Sequence, residues 1–109
     1  MEKSITSFAK QKIKSIHLLS QELNTLEKKE HMQVLLELMR EHVQEIKELY
    51  QQKDKHYITE TGDLLILCLE ILKESDQDYD QIMNRCYERY INKISVLTNE
   101  FKNKRSENE

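Results

Sequence analysis

The chain has 109 residues, one glycine, no proline and a formal net charge of −3 at neutral pH. So little turn chemistry excludes a hairpin-rich sheet, and the length suits one domain, so the expected fold class is all-α. Hydrophobic residues (38 %) against charged ones (34 %) supply a modest core under heavily charged helices, and the acidic balance speaks against a nucleic-acid polymer or an anionic membrane as partner.

Apolar residues recur at helical spacing in four segments. The first runs from about Ile5 to Lys28, with Ile5, Phe8, Ile13, Ile16, Leu19, Leu23 and Leu26 as its stripe. Its lysines, Lys10, Lys12 and Lys14 together with Lys3, read as a solvated face, because no aromatic residues interleave them. The second runs from about Glu30 to Gln52, burying Met32, Leu35, Leu38, Met39, Val43, Ile46 and Leu49. A loop centred on Asp54 leads to the third, Tyr57 to Glu74, which is apolar around much of its circumference and is expected to be the most buried, with a peak over Leu64 to Ile71. Ser75 or Asp76 then offers a cap, and the fourth helix runs from about Asp78 to Phe101, with Tyr79, Ile82, Met83, Cys86, Tyr90, Ile94, Leu97 and Phe101 as its stripe. Residues 102–109 are polar and expected to fray. The expected architecture is a four-helix antiparallel bundle-like domain over residues 1–109. Its long apolar stripes exceed what one small bundle covers, so oligomerisation is expected to complete it.

Cys68 and Cys86 match no zinc pattern and read as small core residues of a reducing compartment. The first residues lack an apolar signal core, and the longest apolar run, Leu64 to Leu69, is far too short to span a bilayer. A cytoplasmic protein is the expectation.

The single glycine, Gly62, falls inside the third helix, where glycine costs roughly 1 kcal/mol relative to alanine. Its expected purpose is to let a neighbouring helix or a ligand approach the backbone. Glu60 and Asp63, three apart, share a helical face beside it. On the second helix Glu41, Glu45 and Glu48 form one stripe. If the second and third helices run antiparallel about Asp54, Glu48 stands level with Glu60 and Glu45 with Asp63. Carboxylates so gathered would repel one another unless a hard divalent cation neutralised them. The competing reading is a set of solvated glutamates on amphipathic helices.

Glu60-Thr61-Gly62-Asp63-Leu64-Leu65 at the start of an apolar helix, preceded by a glutamate-rich helix, resembles the MazG-like all-α nucleoside triphosphate pyrophosphohydrolases. The resemblance spans Arg40 to Leu72. The family pattern is Glu-x-x-Glu on one helix and Glu-x-x-Asp on the next. Glu60 and Asp63 match the second half. Two registers serve the first half: Glu45 with Glu48, or a better-spaced one in which Glu45 is the second glutamate and His42, with Glu41 beside it, stands in the first acid's place. The resemblance implies Mg²⁺-dependent cleavage between the α and β phosphates, with Mn²⁺ as a substitute, and products of nucleoside monophosphate and pyrophosphate. It assigns catalysis to Glu45 and Glu60, and metal binding to Glu41, Glu45, Glu48, Glu60 and Asp63. It also implies a homodimer or homotetramer.

On the fourth helix Arg85, Arg89 and Lys93 form a basic stripe with Asn92 nearby. Arg89, Asn92 and Lys93 are the candidates for holding substrate phosphates, against the alternative of a solvated face paired with Glu88. Tyr87 and Tyr90 could stack on a base, with Tyr90 assigned to the core stripe. His42 shares a face with Leu38 and Leu49, while His17, His31 and His56 lack metal-ligand spacing and are expected at the surface or its boundary. The rival to the enzyme is a non-enzymatic helical interaction module. There, the first and fourth helices would present partner-binding stripes and the glutamates would serve solubility.

Overall fold

With no proline and one glycine, only three short polar breaks interrupt the helical periodicity. The computed structural model, which describes residues 9–108 and the side chains of 11–105, follows that pattern. A π-helical turn, Ala9–Ile13, leads into α1, Lys14–Leu26; then come α2, His31–Gln51, α3, Tyr57–Glu74, and α4, Tyr79–Asn108. No strand occurs among the described residues, and the fold is all-α. Ile5 and Phe8 of the expected first stripe lie outside the described residues. α2 and α3 keep their expected bounds to within a residue. α4 runs on to Asn108, past the point where fraying was expected. Residues 102–108 hold no glycine or proline to stop it, and Arg105 in the last turn suits the negative end of the helix dipole.

The chain groups into two compact units, Met1–Gln77 and Asp78–Glu109, where the sequence alone suggests one domain. The first contains α1 to α3, and the second is α4. Within the first unit α2 and α3 are the most extensively packed pair. Burial concentrates on α3, at Leu67, Leu69 and Glu70, with Leu35 of α2 opposite and Ile13 from the π-helical turn.

All three breaks close in the same way. Lys28, Lys53 and Asp76 adopt left-handed φ values of 58°, 60° and 54°. At α2, Lys53 N–H donates to the Tyr50 carbonyl at 3.1 Å and Asp54 N–H to that of Leu49 at 2.9 Å; the other two breaks repeat this pair. These are Schellman caps, normally closed by glycine. An L-residue there carries a strain of roughly 1–2 kcal/mol. Asp76 therefore closes α3 rather than opening α4. The α4 cap is Asp78, whose Oδ1 accepts the Gln81 N–H at 3.1 Å.

The one glycine is not spent on any of these turns. Gly62 has ordinary helical backbone, and a Cβ built on it would meet nothing within 4 Å. No other helix of the described chain needs the space, which corrects half of the expected purpose.

α1 also departs from its expected face. Leu19, Leu23 and Leu26 of the apolar stripe are 67 %, 54 % and 73 % exposed. The side that packs carries Ile13, His17, Ser20, Gln21 and Asn24, with His17 and Asn24 buried. His17 is therefore an interior residue and not a boundary one, because its ring meets carboxylates from α3.

Gly62→Ala should raise the unfolding free energy by about 1 kcal/mol, and Lys53→Gly by about 0.5–1 kcal/mol. Urea denaturation checks both; a loss of stability for Gly62→Ala would mean that something packs on that flank in solution.

Candidate functional site

An antiparallel helix pair sets opposite one another the residues equidistant from the reversal. The structure brings His42 to Glu60 and Asp63, at 3.4 and 3.9 Å, and sets Glu45 and Glu60 on the rim of one hollow. This corrects the expected levels of Glu48 with Glu60 and Glu45 with Asp63 by about one turn. The physical reason lies in the loop. α2 closes over the left-handed Lys53, and α3 begins winding early: the Asp54 carbonyl accepts Tyr57 N–H at 3.4 Å, and Asp54 Oδ1 accepts His56 N–H at 2.9 Å. The chain therefore reverses nearer Lys53 than Asp54.

Glu60 is the hub. Its side chain is 14 % exposed, with Oε1 3.4 Å from His56 Nε2 and Oε2 3.4 Å from His42 Nε2. Asp63 Oδ2 stands 3.9 Å from the same His42 nitrogen. His42 Nδ1 lies 2.8 Å from the Leu38 carbonyl, which can only accept, so Nδ1 carries a proton. His42 Nε2 faces the two carboxylates. One ligand atom from each of His42, Glu60 and Asp63 falls within a 4.8 Å spread.

The Glu45 carboxyl is held above its ordinary value of 4.5, first by its hydrogen bond with Glu60 and then by the like charge of Glu60, while His42 acts in the opposite sense. Glu45, Glu48, Leu49, Gln52, His56 and Glu60 line a hollow of 250 Å³ beside this pair. Glu48 is thus on its rim, where its Oε1 accepts from Gln44 Nε2 at 2.9 Å. Glu41 faces a different hollow, with Lys29, Gln33 and Glu37, and adds only a weak repulsion to Glu45. In the second unit Arg89, Asn92 and Lys93 line one hollow of 470 Å³ with Cys86 and Tyr90.

His56 was missed as a site residue, although its place four residues before Glu60 was a usable signal, since that spacing puts both on one helical face. Comparison with protein-family models, curated proteins and solved structures finds no match.

The raised proton affinity of Glu45 has a pH consequence. The folded chain binds that proton more tightly than the unfolded chain, so the stabilisation is complete below 4.5 and is lost as pH rises through the raised Glu45 value. In metal-free protein, urea midpoints should fall across that window. Glu60→Gln should flatten the slope and raise stability above it, since the amide relieves the repulsion without opening a cavity.

Proposed function

We propose that this chain is a divalent-cation-dependent nucleoside triphosphate pyrophosphohydrolase of the MazG-like kind, with the α2–α3 acidic cluster as its site. The observation that carries the reading is the gathering of His42, Glu60 and Asp63 on facing helices, with one ligand atom from each within a 4.8 Å spread. Among the described residues, the ion-pair partners of Glu60 and Asp63 are histidines, not lysines or arginines. A purely structural role gives no reason to stack like charges in this way, whereas a cation site requires it.

The donor set fits a divalent ion. Glu60, Asp63 and His42 Nε2 would hold it, in the register where His42 replaces the family's first acid, with Glu45 beside them and Glu41 and Glu48 outside the direct ligands. The ion would supply neutralisation of phosphate charge at the bond being broken. Mg²⁺ is the proposed cofactor, and the imidazole in the set favours Mn²⁺ as a replacement.

The residues themselves divide the remaining work. Glu45 is the general base for the attacking water, because a carboxylate with raised proton affinity is a stronger base near neutral pH. Glu60 holds the ion beside Glu45. In the second unit, the planar fork of Arg89, the point charge of Lys93 and the amide of Asn92 are groups suited to phosphate, the role that the family resemblance gives them. The products are a nucleoside monophosphate and pyrophosphate.

No helix among the described residues is long and apolar enough to cross a membrane, and the proposed setting is the cytoplasm. The proposed assembly is a homodimer or homotetramer. It is supported by the exposed leucines of α1 and by Tyr90, Ile94 and Phe101 of α4, at 65 %, 56 % and 65 % exposure. The same exposed faces support the second reading, a non-enzymatic interaction module.

Pyrophosphate release from ribo- and deoxyribonucleoside triphosphates, with Mg²⁺ and with Mn²⁺, separates the two. The expected result is cation-dependent release, lowered about 100- to 10,000-fold in kcat by Glu45→Gln. Glu60→Gln should also lose activity and keep its fold, and His42→Glu should move the preference toward Mg²⁺. Release from no triphosphate would leave the interaction module standing. Sedimentation as a stable monomer at micromolar concentration would refute the assembly.

A further inference from the structure

A second cluster lies at the far end of the first unit, where α1, the start of α2 and the end of α3 meet. We propose that His17, His31 and Glu74 form a Zn²⁺ site, with Glu70 as the group that orients His17. The inference is independent of the proposed hydrolase, whose residues lie at the opposite end of α3.

The donors are already gathered. Glu74 Oε2 stands 3.2 Å from His17 Nε2 and 4.0 Å from His31 Nε2, and one ligand atom from each residue falls within a 4.8 Å spread. Tetrahedral zinc, with ligands at about 2.0–2.2 Å, sets neighbouring ligand atoms about 3.3 Å apart. The observed spacings bracket that edge, so small side-chain adjustments close the site. The two rings meet edge to face, with centroids 5.2 Å apart at 73°, which leaves their nitrogens free to converge on one point.

The interior is unsatisfied as it stands. His17 Nδ1 and His31 Nε2 are buried without a hydrogen-bond partner, and the His17 side chain is 9 % exposed. Orphaned polar atoms at such a site need an explanation, and an ion is one. The surroundings are those of a metal centre. Glu70, 4 % exposed, places Oε1 3.8 Å from His17 Nδ1 and accepts a hydrogen bond from Ser20 Oγ. A carboxylate behind a histidine favours the proton on Nδ1 and leaves Nε2 to the metal, once the ring and the carboxylate close to hydrogen-bond distance on binding. The Asn24 amide lies 2.8 Å from His31 Nδ1. Turned so that its oxygen accepts from Nδ1–H, it leaves the His31 Nε2 lone pair as a ligand. Gln21 Nε2 donates to Glu74 Oε2 at 3.0 Å and holds that carboxylate toward the rings.

Two imidazoles and one carboxylate suit zinc over magnesium or calcium, which take oxygen donors. Three protein ligands leave one tetrahedral position for solvent. The ligands come from three helices, so the ion would clamp α1 to the α2–α3 hairpin.

The test uses the full chain carrying Glu60→Gln, which disables the other cluster. Zn²⁺ is measured by equilibrium dialysis with elemental analysis, and Co²⁺ by its visible bands. The expected result is one ion per chain, a four-coordinate Co²⁺ spectrum, a raised Tm with Zn²⁺ and no such rise with Mg²⁺. Adding His31→Gln or Glu74→Gln should abolish uptake, and Glu70→Gln should weaken it about 10- to 100-fold. Imidazole NMR asks the same question without touching the ligands: Zn²⁺ should shift the His17 and His31 resonances and leave His42 and His56 in place. No uptake at micromolar Zn²⁺, uptake unaffected by His31→Gln, or shifts confined to His42 and His56 would each overturn the proposal.

Discussion

The packing of α2 against α3, in the register fixed where the chain reverses at Lys53, decides where every acid of the candidate site stands. Helices have side chains at fixed heights, so one turn of slippage would exchange Glu45 for Glu48 opposite Glu60 and remove His42 from Asp63. That register is held by backbone hydrogen bonds at the cap and by apolar packing between Leu35, Leu67 and Leu69, not by the acids. The acids oppose it. The like charge of Glu60 raises the proton affinity of Glu45. Stability and chemistry thus draw on different residues of the same helix pair.

The helices themselves were legible in the sequence. The apolar periodicities of α2 and α3 mark their bounds to within a residue, and Glu60-Thr61-Gly62-Asp63 marks the two acids that meet His42. The register was not legible, because it depends on Lys53 occupying a conformation usually taken by glycine, and a lysine gives no sign of doing so. The length of α4 was misjudged because polar composition was read as fraying, although charged residues are good helix formers.

The face of α1 was the larger misreading. A stripe of leucines is the ordinary sign of a buried side, and His17, Ser20, Gln21 and Asn24 look like a solvated one. Their partners, Glu70 and Glu74, are some fifty residues away in sequence, so no local pattern announces the match. Glu70 sits within the apolar run of α3, and a charged residue among leucines was the one available hint that a polar partner must face it.

This polar junction determines how α1 responds to temperature. A helix held by apolar burial gains a large heat-capacity increment when it detaches, because its released surface orders water. α1 releases chiefly imidazole, amide and hydroxyl groups and frees the carboxylates they face, with Ile13 just ahead of it as a fully buried aliphatic residue. Hydration of polar surface lowers the heat capacity where apolar surface raises it. Detachment of α1 therefore has a small, nearly flat heat-capacity signature, and it separates from the cooperative melting of the α2–α3 pair as a local opening with its own shallow temperature dependence.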